Sequence, residues 1–265
     1  MKTFLMCEPK YFDVSYIINP WMKSNIGRIN KILAQKQWED LYTQISQHAL
    51  INLITPVYGL PDMVFTANAG LIKQHQEVII STFRHPERQG ESAHFTNYFS
   101  TAGYQIKQLS PGTIFEGAGD ALFDSAGELW VGSGPRSDAA ARKDIANTFQ
   151  VKTHSLTLTD SRWYHLDTAF CPLTDGFVLA YKGAFSNESA IKIQEHLGNK
   201  VIWVSDEDAS NFACNAVCLD HEVILYRASE QLKSILLGYN FKVIEIDVSE
   251  FLKSGGSCKC MTLEM

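Results

Sequence analysis

The chain has 265 residues, 45% of them apolar and 20% charged, with a formal net charge of −6 and a pI near 5.7. That balance fits one large globular domain over residues 1–265. It excludes non-specific binding to nucleic acid or to an anionic membrane, because the 23 Lys and Arg are scattered rather than grouped.

Met1 to Pro9 carries a short apolar patch that meets Glu8 at once, without the apolar run and small-residue cleavage site of a secretory signal. No stretch of 18 apolar residues occurs, so no membrane span is expected. Six cysteines (Cys7, Cys171, Cys214, Cys218, Cys258, Cys260) in a chain of this length do not form a disulfide scaffold. They predict free thiols in a reducing cytoplasm. No CxxC pair occurs, so no metal is expected, and no glycine loop with strand–helix grammar suggests a nucleotide cofactor.

Residues 9–23 read as a loop or short strand ending at Pro20. Residues 26–49 predict a helix, since Ile26, Ile29, Ile32, Leu33, Trp38, Leu41 and Ile45 keep a helical stripe. Ile51 to Ile54 reads as a strand, followed by a turn containing Pro56, Gly59 and Pro61. A pattern then recurs: an Asx residue, two or three small or apolar residues, a polar turn and a β-rich run. The Asx positions are Asn68, Asp120, Asp167 and Asn215, at steps of 52, 47 and 48 residues. Helix-like segments lie between the copies at 91–102, 137–149, 187–197 and 229–238.

A hairpin and a helix every 50 residues or so suggest a radial α/β architecture with pseudo-fivefold ββαβ-type repeats. Stepping back one repeat from Asn68 lands near Asn19 and Pro20, and a glycine-thiol strand at 258–263 completes that first unit from the far end of the chain. The expected fold is a five-bladed α/β propeller, its Asx ends facing a central axis.

Chemistry-bearing residues gather at equivalent points of these repeats. Asp62 accompanies Asn68, Glu116 precedes Gly117-Ala118-Gly119-Asp120, and His165-Leu166-Asp167 reads as a strand with both polar side chains on one face. Gly255-Gly256 delivers Cys258 and Cys260 on either side of Lys259. A thiol, a histidine and an orienting carboxylate follow the logic of nucleophilic catalysis. For Asp120 and Asn215 the simpler role is satisfying turn backbones. The residues alone leave open which thiol reacts.

These motifs, spread over essentially the whole chain, resemble the guanidine-modifying enzymes of the pentein superfamily: arginine deiminase, dimethylarginine dimethylaminohydrolase, arginine dihydrolase and the amidinotransferases. The resemblance selects Cys260, in Cys260-Met261-Thr262, as nucleophile and leaves Cys258 structural. It implies that His165 moves protons, that Glu116 holds the histidine, and that Asp167 grips guanidinium nitrogens. Asp62 and Asn68 join Asp167 as substrate-binding positions, and Arg84 and Arg136 match places where relatives hold an α-carboxylate. The implied reaction is hydrolysis of the guanidino group of arginine or an N-methylated arginine through a covalent thiouronium.

Where deiminases and dimethylarginine hydrolases carry aspartate, Asn68 stands here; a neutral amide suits a ureido group, as in arginine dihydrolases. The alternatives are an amidinotransferase, or a non-catalytic pentein binding a ribosomal partner. The implied partner is a small arginine-like molecule, and a homo-oligomer is left open.

Overall fold

The computed structural model describes residues 1–73 and 76–265. Its strands form five three-stranded sheets of one topology. In the sheet of Gly70–Lys73, Glu77–Ile80 and Gln105–Lys107, the first two strands are an antiparallel hairpin. The third runs parallel to the second after the helix Glu91–Thr101. A parallel return needs a crossover of a dozen or so residues, and the helix supplies it. The order repeats with Ala121–Phe123, Leu129–Ser133, helix Ala141–Phe149 and Thr153–Thr157. Phe170–Pro172, Val178–Ala180, helix Asn187–Leu197 and Val201–Trp203 follow, then Val217–Leu219, Glu222–Leu225, helix Glu230–Gly238 and Lys242–Glu245.

The fifth sheet joins both ends of the chain. Leu263–Glu264 pairs antiparallel with Thr3–Cys7, with Phe4 opposite Glu264, and helix Lys31–Ser46 leads to the parallel strand Leu50–Ile54. The unit completed from the far end is thus present. Central strands are buried on both faces, which explains runs such as Leu129-Trp130-Val131 and Val223-Ile224-Leu225. Each helix turns an apolar stripe to its sheet, for example Ala141, Ile145 and Phe149 at four-residue spacing. No helix among the described residues is long and apolar enough to cross a membrane.

Three expectations need correction. The helix predicted over 26–49 starts only at Lys31: Gly27 has φ +65°, and the Asn30 side chain caps the helix by accepting from the Leu33 N–H. Ile26 and Ile29 therefore precede it, and Ile32 is 85% exposed. His165-Leu166-Asp167 is not on a strand. Leu166–Thr168 forms a 3-10 turn ahead of Phe170–Pro172. Likewise the strand expected at 258–263 is confined to Leu263–Glu264, and both thiols sit in the preceding turn.

Candidate active site

Short turns precede the first strand of each sheet, and they bind one another in sequence. The Asn68 Nδ2 donates to the Glu116 carbonyl at 3.2 Å, and the Leu166 N–H donates to Asp120 Oδ1 at 3.0 Å. Asn215 Nδ2 donates to the Asp167 carbonyl at 2.9 Å, and the Cys260 N–H to Asn215 Oδ1 at 3.0 Å. The Ala67 N–H then donates to the Cys260 carbonyl at 3.0 Å, so the bonds return to the turn where they began. This places Asn68, Glu116, His165, Asp167, Asn215 and Cys260 side by side from five different sheets.

The Cys260 thiol is held on two sides. Asn215 Nδ2 reaches Sγ at 3.1 Å, and Sγ lies 3.5 Å from Asp167 Oδ2. Burial, and then the neighbouring Asp167 charge, push the thiol well above its ordinary range, so the resting group is a thiol. The other carboxylate oxygen of Asp167, Oδ1, is buried and has no hydrogen-bond partner among the described residues. Burial raises this carboxyl to about 7, against the lowering pull of Lys259. A buried acceptor without a donor is costly unless a ligand completes it.

The imidazole belongs to a second buried group. His165 Nε2 is 2.7 Å from Glu116 Oε2, which also accepts from Arg136 Nη1 at 2.9 Å. Glu116 Oε1 accepts from the Arg84 N–H at 3.1 Å. Burial alone would raise Glu116, but Arg136 and the hydrogen bond from His165 overcome it and hold the carboxyl far below its usual range. Desolvation outweighs Glu116 at His165 and lowers the imidazole to about 4. At neutral pH, therefore, His165 is neutral; Nε2 carries the proton that Glu116 accepts, and Nδ1 keeps a lone pair. A side chain at Gly119 would lie 2.2 Å from Asn68 Nδ2 and 3.4 Å from His165 Nδ1, so glycine keeps that space open.

The remaining predicted residues are in or beside this cluster. Asp62 is buried, accepts from the Tyr16 hydroxyl at 2.8 Å and lies 4.0 Å from Arg88 Nε. Asn68 Oδ1 accepts from Arg88 Nη1 at 2.8 Å, which fixes the amide with Nδ2 turned toward Glu116. Arg136 also donates through Nη2 to the Ile18 carbonyl at 3.2 Å and stacks over Tyr164, which ties it to Glu116 rather than displaying it to a ligand. Arg84 is half-exposed and paired with Asp138 at 2.6 Å. Cys258 packs in the apolar core with its thiol pushed up to about 12 by burial. All six cysteines are free.

Three positions escaped the sequence reading. Asn215 orients the thiol, although its place in the Asx repeat had marked it. Arg88 forms a buried fork with Glu91, both bonds at 2.8 Å, and so fixes Asn68. Tyr16 binds Asp62, and the segment after it is tied to later parts of the chain: Trp21 Nε1 donates to the Arg162 carbonyl and Asn19 Nδ2 to the Ser254 carbonyl. Cys260 is 3% and His165 1% exposed, so both reacting groups are shielded from bulk solvent. A cavity of about 950 Å³, lined among others by Lys2, Lys73, Cys171, Cys218 and Lys259, does not include Cys260, His165 or Glu116. The chemistry, not the empty volume, locates the site.

A buried thiol 3.5 Å from a carboxylate, in a turn that opens on a carboxylate-bound imidazole, is the chemistry of a guanidine-modifying pentein. A family model described as "N,N dimethylarginine dimethylhydrolase, eukaryotic" matches residues 8–265, and the chain belongs to that family. It is 46% identical over 99% of its length to the bifunctional arginine dihydrolase/ornithine cyclodeaminase AgrE of Nostoc, and spans 37% of that relative. It is 37% identical over its whole length to the dimethylarginine dimethylaminohydrolase of Mycobacterium tuberculosis, covering 86% of it. A variant of the N-terminal domain of cyanobacterial ArgZ, solved covalently bound to a reaction intermediate, superimposes with a TM-score of 0.98 at 44% identity. That match covers 100% of this chain and 97% of the other.

Proposed function

We propose that this chain is a single catalytic domain, a five-bladed α/β propeller, that hydrolyses the guanidino group of arginine through Cys260 and carries the ureido product through a second hydrolysis. The common ββαβ order and the returning series of hydrogen bonds between turns support the propeller. The unpaired Oδ1 of Asp167, the carboxylate whose other oxygen lies 3.5 Å from Cys260 Sγ, carries the chemical reading.

A guanidinium supplies what that oxygen lacks: a planar cation with paired N–H donors. Once bound, it also offsets the desolvation that keeps the thiol protonated. Nδ1 of His165 takes the thiol proton, and the thiolate attacks the guanidinium carbon to give a tetrahedral adduct. The imidazolium, stabilised by Glu116, returns the proton to the departing nitrogen and ammonia leaves. His165 then deprotonates a water that adds to the thiouronium carbon; the C–S bond breaks and the thiol is restored. A second round on the ureido carbon gives ornithine, ammonia and carbon dioxide. Asn68, whose amide Arg88 orients, keeps an N–H that can donate to a ureido oxygen that a carboxylate would repel. Arg84, at the exposed edge, is left for the α-carboxylate.

A methylarginine substrate is the second reading, favoured by the 37% identical mycobacterial relative. Supplying arginine, citrulline and dimethylarginine separately decides between them. Arginine is expected to yield two ammonia per ornithine; arginine stopping at citrulline removes the second step, and release of dimethylamine instead moves the substrate to methylarginines.

The pH dependence has a definite sign. A cation needs ionised Asp167, whose carboxyl is raised to about 7, so kcat/KM for arginine rises with pH below about 7 and levels above it. The Asp167→Asn variant should lose this limb together with most of its substrate affinity. A wild-type profile flat between about pH 5 and 9, roughly two units either side of the raised value, removes Asp167 from the cation site.

A further inference from the structure

Away from the catalytic cluster, Glu128, His154 and His196 bring one ligand atom each to within 4.8 Å of one another. We propose that these three residues form a binding site for a divalent transition-metal ion of the zinc type, joining the third unit of the chain to the fourth. Glu128 stands just before the strand Leu129–Ser133, and His154 lies on the neighbouring strand Thr153–Thr157. His196 comes from the last turn of the helix Asn187–Leu197, which belongs to the next sheet. His154 Nε2 lies 2.6 Å, and His196 Nε2 3.3 Å, from the same oxygen, Glu128 Oε2.

Two imidazole nitrogens and one carboxylate oxygen are the donor set that zinc accepts with one position left for water, whereas calcium and magnesium prefer oxygen alone. The set is held from behind. His154 stacks on the indole of Trp130 at 4.5 Å and 25°, and His196 meets the same indole edge-on at 5.2 Å. Trp130 is fully buried and its Nε1 donates to Asp124, whose other oxygen accepts the Glu128 N–H. These contacts aim both rings before any ion arrives, the support that orients metal ligands. Lys152 takes the opposite oxygen, Glu128 Oε1, at 2.6 Å, which leaves Oε2 to the histidines. The ligands lie on different units, so an ion there pins one unit to the next.

The test uses the full chain, stripped with chelator and dialysed. On titration with Zn²⁺ we expect one equivalent retained per chain and a thermal midpoint raised by about 5 °C at saturating metal. Cu²⁺ should quench the emission of Trp130. The His196→Gln variant, altered at a partly exposed helix end, should fold normally and bind at least about tenfold more weakly. Cys260→Ser should bind as wild type does. No retained metal, equal affinity in His196→Gln, or loss of binding in Cys260→Ser, which would put the ion on the catalytic thiol, each overturns the site.

Discussion

Replacing Cys260 with serine is expected to reduce arginine turnover by about 10⁴-fold or more while leaving the fold and substrate binding in place. The swap changes one atom in a buried turn, and Asn215 can still hold a hydroxyl where it holds the sulfur. The unpaired oxygen of Asp167 remains to receive the cation. Only the nucleophile is lost, because a hydroxyl does not ionise under conditions that already strain a thiol. Calorimetric binding of arginine to the inactive variant, at an affinity close to the wild-type KM, is the supporting measurement. Turnover surviving in Cys260→Ser but lost in Cys258→Ser would transfer the role to the other thiol. The structure opposes that exchange, since Cys258 lies in apolar packing with its thiol raised to about 12.

Glu116→Gln should damage stability and rate together. Glu116 is the sole anion hydrogen-bonded to the buried Arg136 guanidinium among the described residues, and it also binds His165. Removing one partner of a buried ion pair costs about 3–5 kcal/mol, far more than an exposed pair is worth. For a chain of this length that lowers the thermal midpoint by about 10 °C. The imidazolium formed during turnover loses its counter-charge as well, so kcat falls by about 10²–10⁴-fold even well below the new midpoint. A variant as stable as wild type would mean that solvent or another group compensates Arg136. Arg136→Gln separates the two effects: Glu116 is then buried without its cation, but His165 keeps a carboxylate, so stability should suffer more than kcat.

Much of the architecture was legible because each unit repeats a punctuation: an Asx residue before a hairpin, then an amphipathic helix. The helix Asn187–Leu197 has the expected bounds, since Ser186 caps it and its apolar residues keep helical spacing. Except at Leu50–Ile54, the third strands left less trace. Gln105–Lys107 and Val201–Trp203 have three residues each, too few to show a period of two. Asn68, Glu116, His165, Asp167 and Cys260 were visible as punctuation and do converge. Their partners were not. Arg88 follows Pro86 in what looks like a surface helix, and nothing local says that its guanidinium is buried against Glu91 and Asn68. The Glu128, His154 and His196 trio has no motif spacing and exists only where two sheets meet.

The pairing of Phe4 with Glu264 has a kinetic consequence. It joins the two most distant parts of the described chain, the contact with the largest loop-closure cost, and long-range contacts tend to form late. Cys260 sits in the turn that feeds that strand, so we expect the nucleophile to be seated late in refolding, after the imidazole and its carboxylate. During refolding, the onset of substrate-protected alkylation at Cys260 therefore serves as a clock for the final step of assembly, lagging the gain of helical signal.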